Sequence, residues 1–343
     1  MSITAVSRFC VALLVSAPLV AQSTEYLSNI RQLTHGGQNA EAYWAPDGER
    51  LIFQSTRDGR SCDQIYIMNA DGSDVRMVST GRGVTTCGYF LPDGKRIVFA
   101  STHERSPDCP PRPDRSKGYV WAVHPGYDVF AANDDGSELR RLTDAEGYDA
   151  EATINSATGS IVYTSKASGD LDLWKMKLDG TGKQRLTTGF GYDGGAFFSR
   201  DGSKMVWRAN HPGDEAQRAR YKELLDLDLT APMKMELFVA GADGSDARQI
   251  TNFGCASFAP QFTPDGRHII FASNKNKCDS RNFELFLADL DGKNLRQITE
   301  FGGFTSFPEF SPDGRKVAFT SDRNATSPYE FNIFVADWRG PQQ

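Results

Sequence analysis

Four carboxylates in this chain of 343 residues, Glu41, Asp149, Glu151 and Asp193, stand at the entrance to apolar runs of similar make-up. Asp149 and Asp193 share a duplicated Gly-Tyr-Asp, at Gly147-Tyr148-Asp149 and Gly191-Tyr192-Asp193. Carboxyl groups held close together can act as a general acid and base. They can also hold a hard cation such as Ca²⁺, or cap a turn by accepting from backbone N–H groups. His103 and His211 lie four residues past Phe99 and Trp207, where comparable runs carry Arg57, Ala167, Lys275 and Arg323. Histidine suits proton transfer near neutral pH. The candidate catalytic residues are therefore Asp149, Glu151, Asp193, His103 and His211. Candidate ligand-binding residues are Glu41, Trp44, Tyr148, Asp149, Glu151, Tyr192, Asp193, Arg208 and Trp121. Arg208 follows Trp207 where other runs have Gln or small residues, and reads either as a salt-bridge partner or as an anion clamp.

These residues belong to a repeat. A turn signal recurs at Pro46-Asp47-Gly48, Pro92-Asp93-Gly94, Ala157-Thr158-Gly159, Arg200-Asp201-Gly202, Pro264-Asp265-Gly266 and Pro312-Asp313-Gly314. An apolar β run follows each, and then a further run that in five copies ends in Asp-Gly. Fourth runs of the form x-R-x-[IVL]-[TS] follow those five, with Gln at the Arg position in one: VRMVS, LRRLT, KQRLT, ARQIT and LRQIT. The sixth copy ends at Gly340 without one, and Ile30-Arg31-Gln32-Leu33-Thr34 near the start has the missing pattern. Four short strands repeated six times predict an all-β, six-bladed β-propeller. The N-terminal strand should close the ring by pairing with the run Phe331–Asp337, leaving no open seam.

Blades 2 and 4 carry insertions, 104–126 and 211–234, in the connection that rises to the mouth of the channel. Connections longer than ~12–15 residues usually carry a role. The stretch Asp214 to Leu225 has a helix start and an apolar end. Both insertions should wall the mouth on either side of blade 3.

The net charge of −6 argues against nucleic acid, which needs a basic stripe. Residues 1–23 read as a secretory signal with Arg8 and an apolar segment Phe9 to Val20, shorter than a membrane span. The expected product is periplasmic or secreted, monomeric, and without a membrane span. An oxidising compartment permits disulfides. Cys255 with Cys278 is the expected pair in blade 5, and Cys87 pairs with either Cys109 or Cys62.

The motif SPDGRKVAFTSDR at Ser311 to Arg323, with the strands that end in Asp-Gly, resembles the TolB-type propeller repeat, a relative of the WD-type repeat. The resemblance covers nearly all of residues 27–340. It implies the fold, and it is shared by protein-binding domains, companions of serine hydrolases and polysaccharide lyases. The extra N-terminal α/β domain of TolB is not expected here, and no G-x-S-x-G nucleophile elbow occurs. The expected function is a protein-, peptide- or glycan-binding module acting through the channel mouth. A hydrolase or lyase with an acidic and histidine site at that mouth is the alternative.

Overall fold

The computed structural model describes residues 24–341, so the secretory signal expected over 1–23 lies outside the described residues. Six four-stranded antiparallel sheets form the blades of one ring. The inner strands are Asn39–Trp44, Thr85–Phe90, Asp149–Asn155, Tyr192–Phe198, Ser257–Phe262 and Thr305–Phe310. In the last blade the outermost strand is Leu27–Gln32, which pairs antiparallel with Asn332–Trp338 in the register Leu27↔Trp338 and Arg31↔Val335. The leading end of the chain thus closes the ring.

The recurring Thr or Ser of the fourth run has a specific task. Its hydroxyl donates to a polar residue at the start of the third strand, while accepting from the next backbone N–H. Thr143 binds Asp128 at 3.1 Å and Thr251 binds Glu236 at 2.6 Å. Thr299 binds Glu284 at 2.6 Å, and Ser79 binds Gln64 at 2.8 Å. In the closing blade Thr34 donates to Asn332 at 3.1 Å and accepts from the Ile333 N–H at 2.9 Å. The same clasp is therefore made across almost the whole length of the chain. Each buried hydrogen bond of this kind contributes about 1 kcal/mol.

Every inner strand is also broken by a β-bulge, seen as a register shift against the second strand. At the bulge one residue per blade has positive φ: Glu41, Cys87, Glu151, Gly195, Ala259 and Phe307. Bulges re-aim side chains, and these six positions form a ring around the channel just inside the mouth. Two residues further on, a second ring is formed by Tyr43, Tyr89, Thr153, Phe197, Gln261 and Glu309. Its aromatic members meet near the axis, with Tyr43 5.1 Å from Tyr89 and 5.7 Å from Phe197 between ring centres. The channel is thereby narrowed below the first ring, where Tyr89 and Glu309 keep partial exposure.

The two insertions join each other. Trp121–Ala122 pairs antiparallel with Leu229–Thr230, and the Val123 N–H donates to the Asp228 carbonyl at 2.8 Å. Helix α1, Glu215–Leu225, starts at Asp214, whose carboxylate accepts from the Gln217 N–H at 2.8 Å. Lys117 of the blade 2 insertion reaches Glu223 of the helix at 3.0 Å. Val120, Leu224 and Leu229 make a small apolar core of their own. Instead of two separate walls, the insertions form one cap standing over blade 3. Lys166 of that blade holds it by donating to the Leu225 carbonyl and the Asp228 carboxylate.

Cys255–Cys278 form a disulfide. The pairing expected for Cys87 is corrected: Cys62 is bonded to Cys109, and Cys87 is a free thiol. The reason is geometric. Cys87 is the bulge residue of blade 2 and sits in the channel ring, whereas Cys62 and Cys109 lie in neighbouring loops on the rim. That bridge closes a 47-residue separation, worth about 4 kcal/mol in the chain-entropy treatment.

Candidate functional site

The first ring is shaped by what blade 4 lacks. Gly194-Gly195 occupy the bulge, and a Cβ on Gly195 would collide with the Arg208 guanidinium. Arg208 lies opposite Gly194 on the second strand and fills that space. Its Nη2 contacts the Glu151 carboxylate of blade 3 and accompanies the Tyr192 hydroxyl at 2.8 Å. The Tyr192 hydroxyl donates to Glu151 at 2.9 Å, as does Thr164 at 2.7 Å. Burial works against the charge on Arg208, but Glu151 together with Tyr192, Tyr148 and Glu41 outweighs it and keeps the guanidinium protonated. The result is a buried ion pair whose anion is saturated with donors, the arrangement that makes such a pair tolerable.

Trp121 hangs from the cap over this pair. The Arg208 guanidinium lies 5.3 Å from the indole ring, and the indole packs on Phe258 of blade 5 at 5.2 Å. Trp121 therefore spans the mouth from blade 2 to blade 5. Tyr148 is buried edge-on against Tyr127 at 5.6 Å. Trp44, expected among the ligand-binding residues, is instead buried in the core between blades 1 and 6, where its indole donates to the Glu309 carbonyl at 3.2 Å. It faces away from the channel because successive residues of a strand point to opposite faces, and its neighbour Tyr43 takes the axis-facing position.

Asp193 and Asp149 hold equivalent strand positions but share no partner. Asp193 accepts from the Trp207 indole at 2.7 Å and contacts His211 Nε2 at 3.1 Å. That bond raises the His211 pKa above its ordinary value, although burial works against it. Asp149 is buried with its Oδ1 lacking any hydrogen-bond partner among the described residues. Burial pushes its pKa up to about 6. His103 packs at a tilt on Phe130, 4.4 Å between ring centres, and contacts Ser101 at 2.9 Å. Burial lowers its pKa. Of the five acid/base candidates only Asp193 and His211 meet; Asp149, Glu151 and His103 fall into separate local networks. Among the described residues no group of three or more His, Cys, Asp or Glu is arranged to hold a metal ion.

Glu41 faces the channel beside Cys87, with the Tyr43 hydroxyl at 3.4 Å, and burial pushes its pKa up to about 7. Glu309 lies one ring deeper. Its Oε1 is 3.4 Å from the Tyr89 hydroxyl, its Oε2 has no partner among the described residues, and burial raises its pKa to about 8. Glu309 and Gln261 were not singled out from the sequence, and Cys87 was expected only as a disulfide partner. A signal for Glu309 does exist: with the six inner strands aligned on their turns, Glu309 is the one carboxylate in a column otherwise holding Tyr, Ile, Phe and Gln.

The comparisons with known proteins agree with this architecture. The family described as TolB beta propeller domain matches residues 24–109 and 230–338. The intervening stretch, outside the match, holds most of both insertions and both Gly-Tyr-Asp sequences. Among solved structures the chain is similar to a putative TolB from Agrobacterium tumefaciens, at 18% identity and a TM-score of 0.59, covering 91% of this chain and 97% of that one. It is similar to TolB from Acinetobacter baumannii at 14% identity and a TM-score of 0.55, covering 89% of this chain and 65% of that one. An oligogalacturonate lyase in complex with manganese shares the fold at 14% identity and a TM-score of 0.52, covering 93% of this chain and 95% of that one. No curated protein sequence matches significantly. The family match, the six-fold repeat and the strand that closes the ring place this chain in the TolB β-propeller family.

Proposed function

We propose that the protein is an exported binding module that engages a protein or peptide at the channel mouth. The observation that carries this reading is the joining of the two insertions into one cap, which builds an asymmetric rim. The cap stands over blade 3, and Trp121 reaches blade 5. The rim of blades 6 and 1 carries no insertion. Tyr119 and Leu227 project from the cap at 62% and 52% exposure, and Phe190 stands beside it. Large apolar side chains left in water on a built surface suit a partner. The disulfides suit an oxidising compartment, and no described helix is long and apolar enough to cross a membrane.

Support for binding over a hydrolase or lyase comes from the acid/base candidates. Asp193 with His211 is tied to the Trp207 indole, and Glu151 is tied to Arg208, so these groups already serve partners within the fold. The test is a peptide array and a glycan array probed with the mature protein. Array ligands should weaken when Tyr119→Ala and Leu227→Ala are combined, and should be unaffected by Leu139→Ala on the opposite face. Glycan capture alone would move the ligand class to carbohydrate. Depolymerisation of a polysaccharide, lost in His211→Ala, would replace the binding reading with the enzymatic one.

A further inference from the structure

The channel holds more acid than its cations balance. Three carboxyls face it, Glu41, Glu151 and Glu309. Arg208 is engaged with Glu151 and Tyr192. Arg200 lies at the floor, donating to the Ser311 carbonyl at 3.2 Å. Glu41 and Glu309 are linked by contacts through the Tyr43 and Tyr89 rings, and Glu41, Cys87, Tyr89 and Glu309 each keep partial exposure around the axis. Their own contacts are long, at 3.4 Å. A second, independent feature marks the same space. Gln261, only 7% exposed, occupies the ring position of Tyr43 and Glu309, and its Nε2 has no partner among the described residues. Buried polar groups are nearly always partnered, so a guest that supplies hydrogen bonds fits better than an empty space.

We propose that this chamber receives one organic monocation, the ammonium or guanidinium end of a lysine or arginine side chain presented by the bound polypeptide. The inference rests on the mouth being a polypeptide-binding surface. A flexible four-carbon stem lets a lysine enter while its backbone stays at the rim. The walls favour an organic cation over a metal ion, because Tyr43, Tyr89 and Phe197 offer aromatic faces that attract such groups. Ca²⁺ would need six to eight oxygens, and no such cluster is present among the described residues. The guest replaces a proton on each carboxyl it contacts. Glu41 is faced by Cys87, Tyr43, Arg208, Glu151 and Asp63, and Glu309 by Tyr89 and Arg200. Both carboxyls are raised, to about 7 and about 8, chiefly by burial. Cation binding should therefore strengthen as pH rises from about 6 to about 9, while a lysine ammonium stays charged.

The test is titration of the folded protein with Nα-acetyl-lysine methylamide, its arginine counterpart and its uncharged norleucine counterpart. The basic probes should bind roughly tenfold more tightly at pH 8.5 than at pH 6. Glu41→Gln and Glu309→Gln are isosteric; each should weaken binding several-fold at pH 8.5 and flatten the pH dependence. Equal binding of the norleucine probe overturns the inference, as does no saturable binding of the basic probes, or Gln variants that leave affinity unchanged. Stoichiometric calcium binding that displaces the lysine probe overturns it in favour of a metal. Array ligands lost in the Tyr119→Ala, Leu227→Ala protein but indifferent to Glu41→Gln, and to replacement of their basic residues, would overturn this inference and leave the binding module standing. Lysine-probe binding without any array ligand would do the reverse.

Discussion

Blades 3 and 4 carry the same Gly-Tyr-Asp in the same register and use it differently. In blade 4, Trp207 donates its indole N–H to Asp193 and His211 lies against the same carboxylate. In blade 3 the corresponding residues are Tyr163 and Ala167, and Asp149 is left with an unpartnered Oδ1. Tyr192 reaches Glu151 and Arg208, because Gly194-Gly195 open the way for the guanidinium. Tyr148 meets Tyr127 edge-on within the buried core instead. A motif copied in sequence thus acquires its chemistry from the second strand beside it. Blade 4 ties its aspartate into an indole and imidazole network, and blade 3 is the same frame without those two donors.

That contrast can be broken most sharply at Arg208. Arg208→Ala strands the Glu151 carboxylate and should cost about 3–5 kcal/mol in urea unfolding. The equivalent change in blade 3, Thr164→Ala, removes one hydrogen bond to the same carboxylate and should cost about 1 kcal/mol. Next in size, Asp193→Ala leaves the Trp207 N–H unpaired and should cost about 2–3 kcal/mol, whereas Asp149→Asn should stay within about 1 kcal/mol. A large loss for Asp149→Asn would show that Asp149 has a partner after all.

The tyrosines should differ by less. Tyr192→Phe should lose about 1–2 kcal/mol, and Tyr148→Phe no more than about 0.5 kcal/mol, in the same unfolding series. The pH dependence separates the blades again. His211 has a raised pKa, so its contribution is fully present below the unfolded value near 6.5 and is lost as pH rises through the folded one. Asp149 is an acid with a raised pKa of about 6. Its ionisation destabilises the fold as pH rises from about 4 to 6, and Asp149→Asn should remove that slope. Smallest of all, Tyr163→Trp with Ala167→His would import blade 4's donors into blade 3. The Asp149 pKa should then fall below about 6 in a carboxyl NMR titration.

The repeat was legible because turn chemistry and strand patterning are local. Pro-Asp-Gly turns, alternating apolar runs and the final Thr each satisfy a requirement met within a few residues. Even ring closure could be read, because Ile30–Thr34 repeats a pattern whose partner strand was known. The cap was legible only in part. The two insertions and the helix start at Asp214 are written in the chain, but the pairing of Trp121–Ala122 with Leu229–Thr230 joins segments about a hundred residues apart that share no pattern. The Cys62–Cys109 bridge is of the same kind: spacing left Cys87 with two partners, and geometry chose neither.

What the sequence determined by itself is the wedge: four strands, six times, with a seam shared between the two ends of the chain. What only the tertiary structure decided is which side chains face the axis. A bulge in each inner strand rotates Glu41, Cys87 and Glu151 into the channel, and the next pleat carries Glu309 and Gln261 after them. The bulge residue takes a positive φ in all six blades, five of them without glycine, so no residue type announces it. Which side chains these positions bring together is settled only when six blades share one axis.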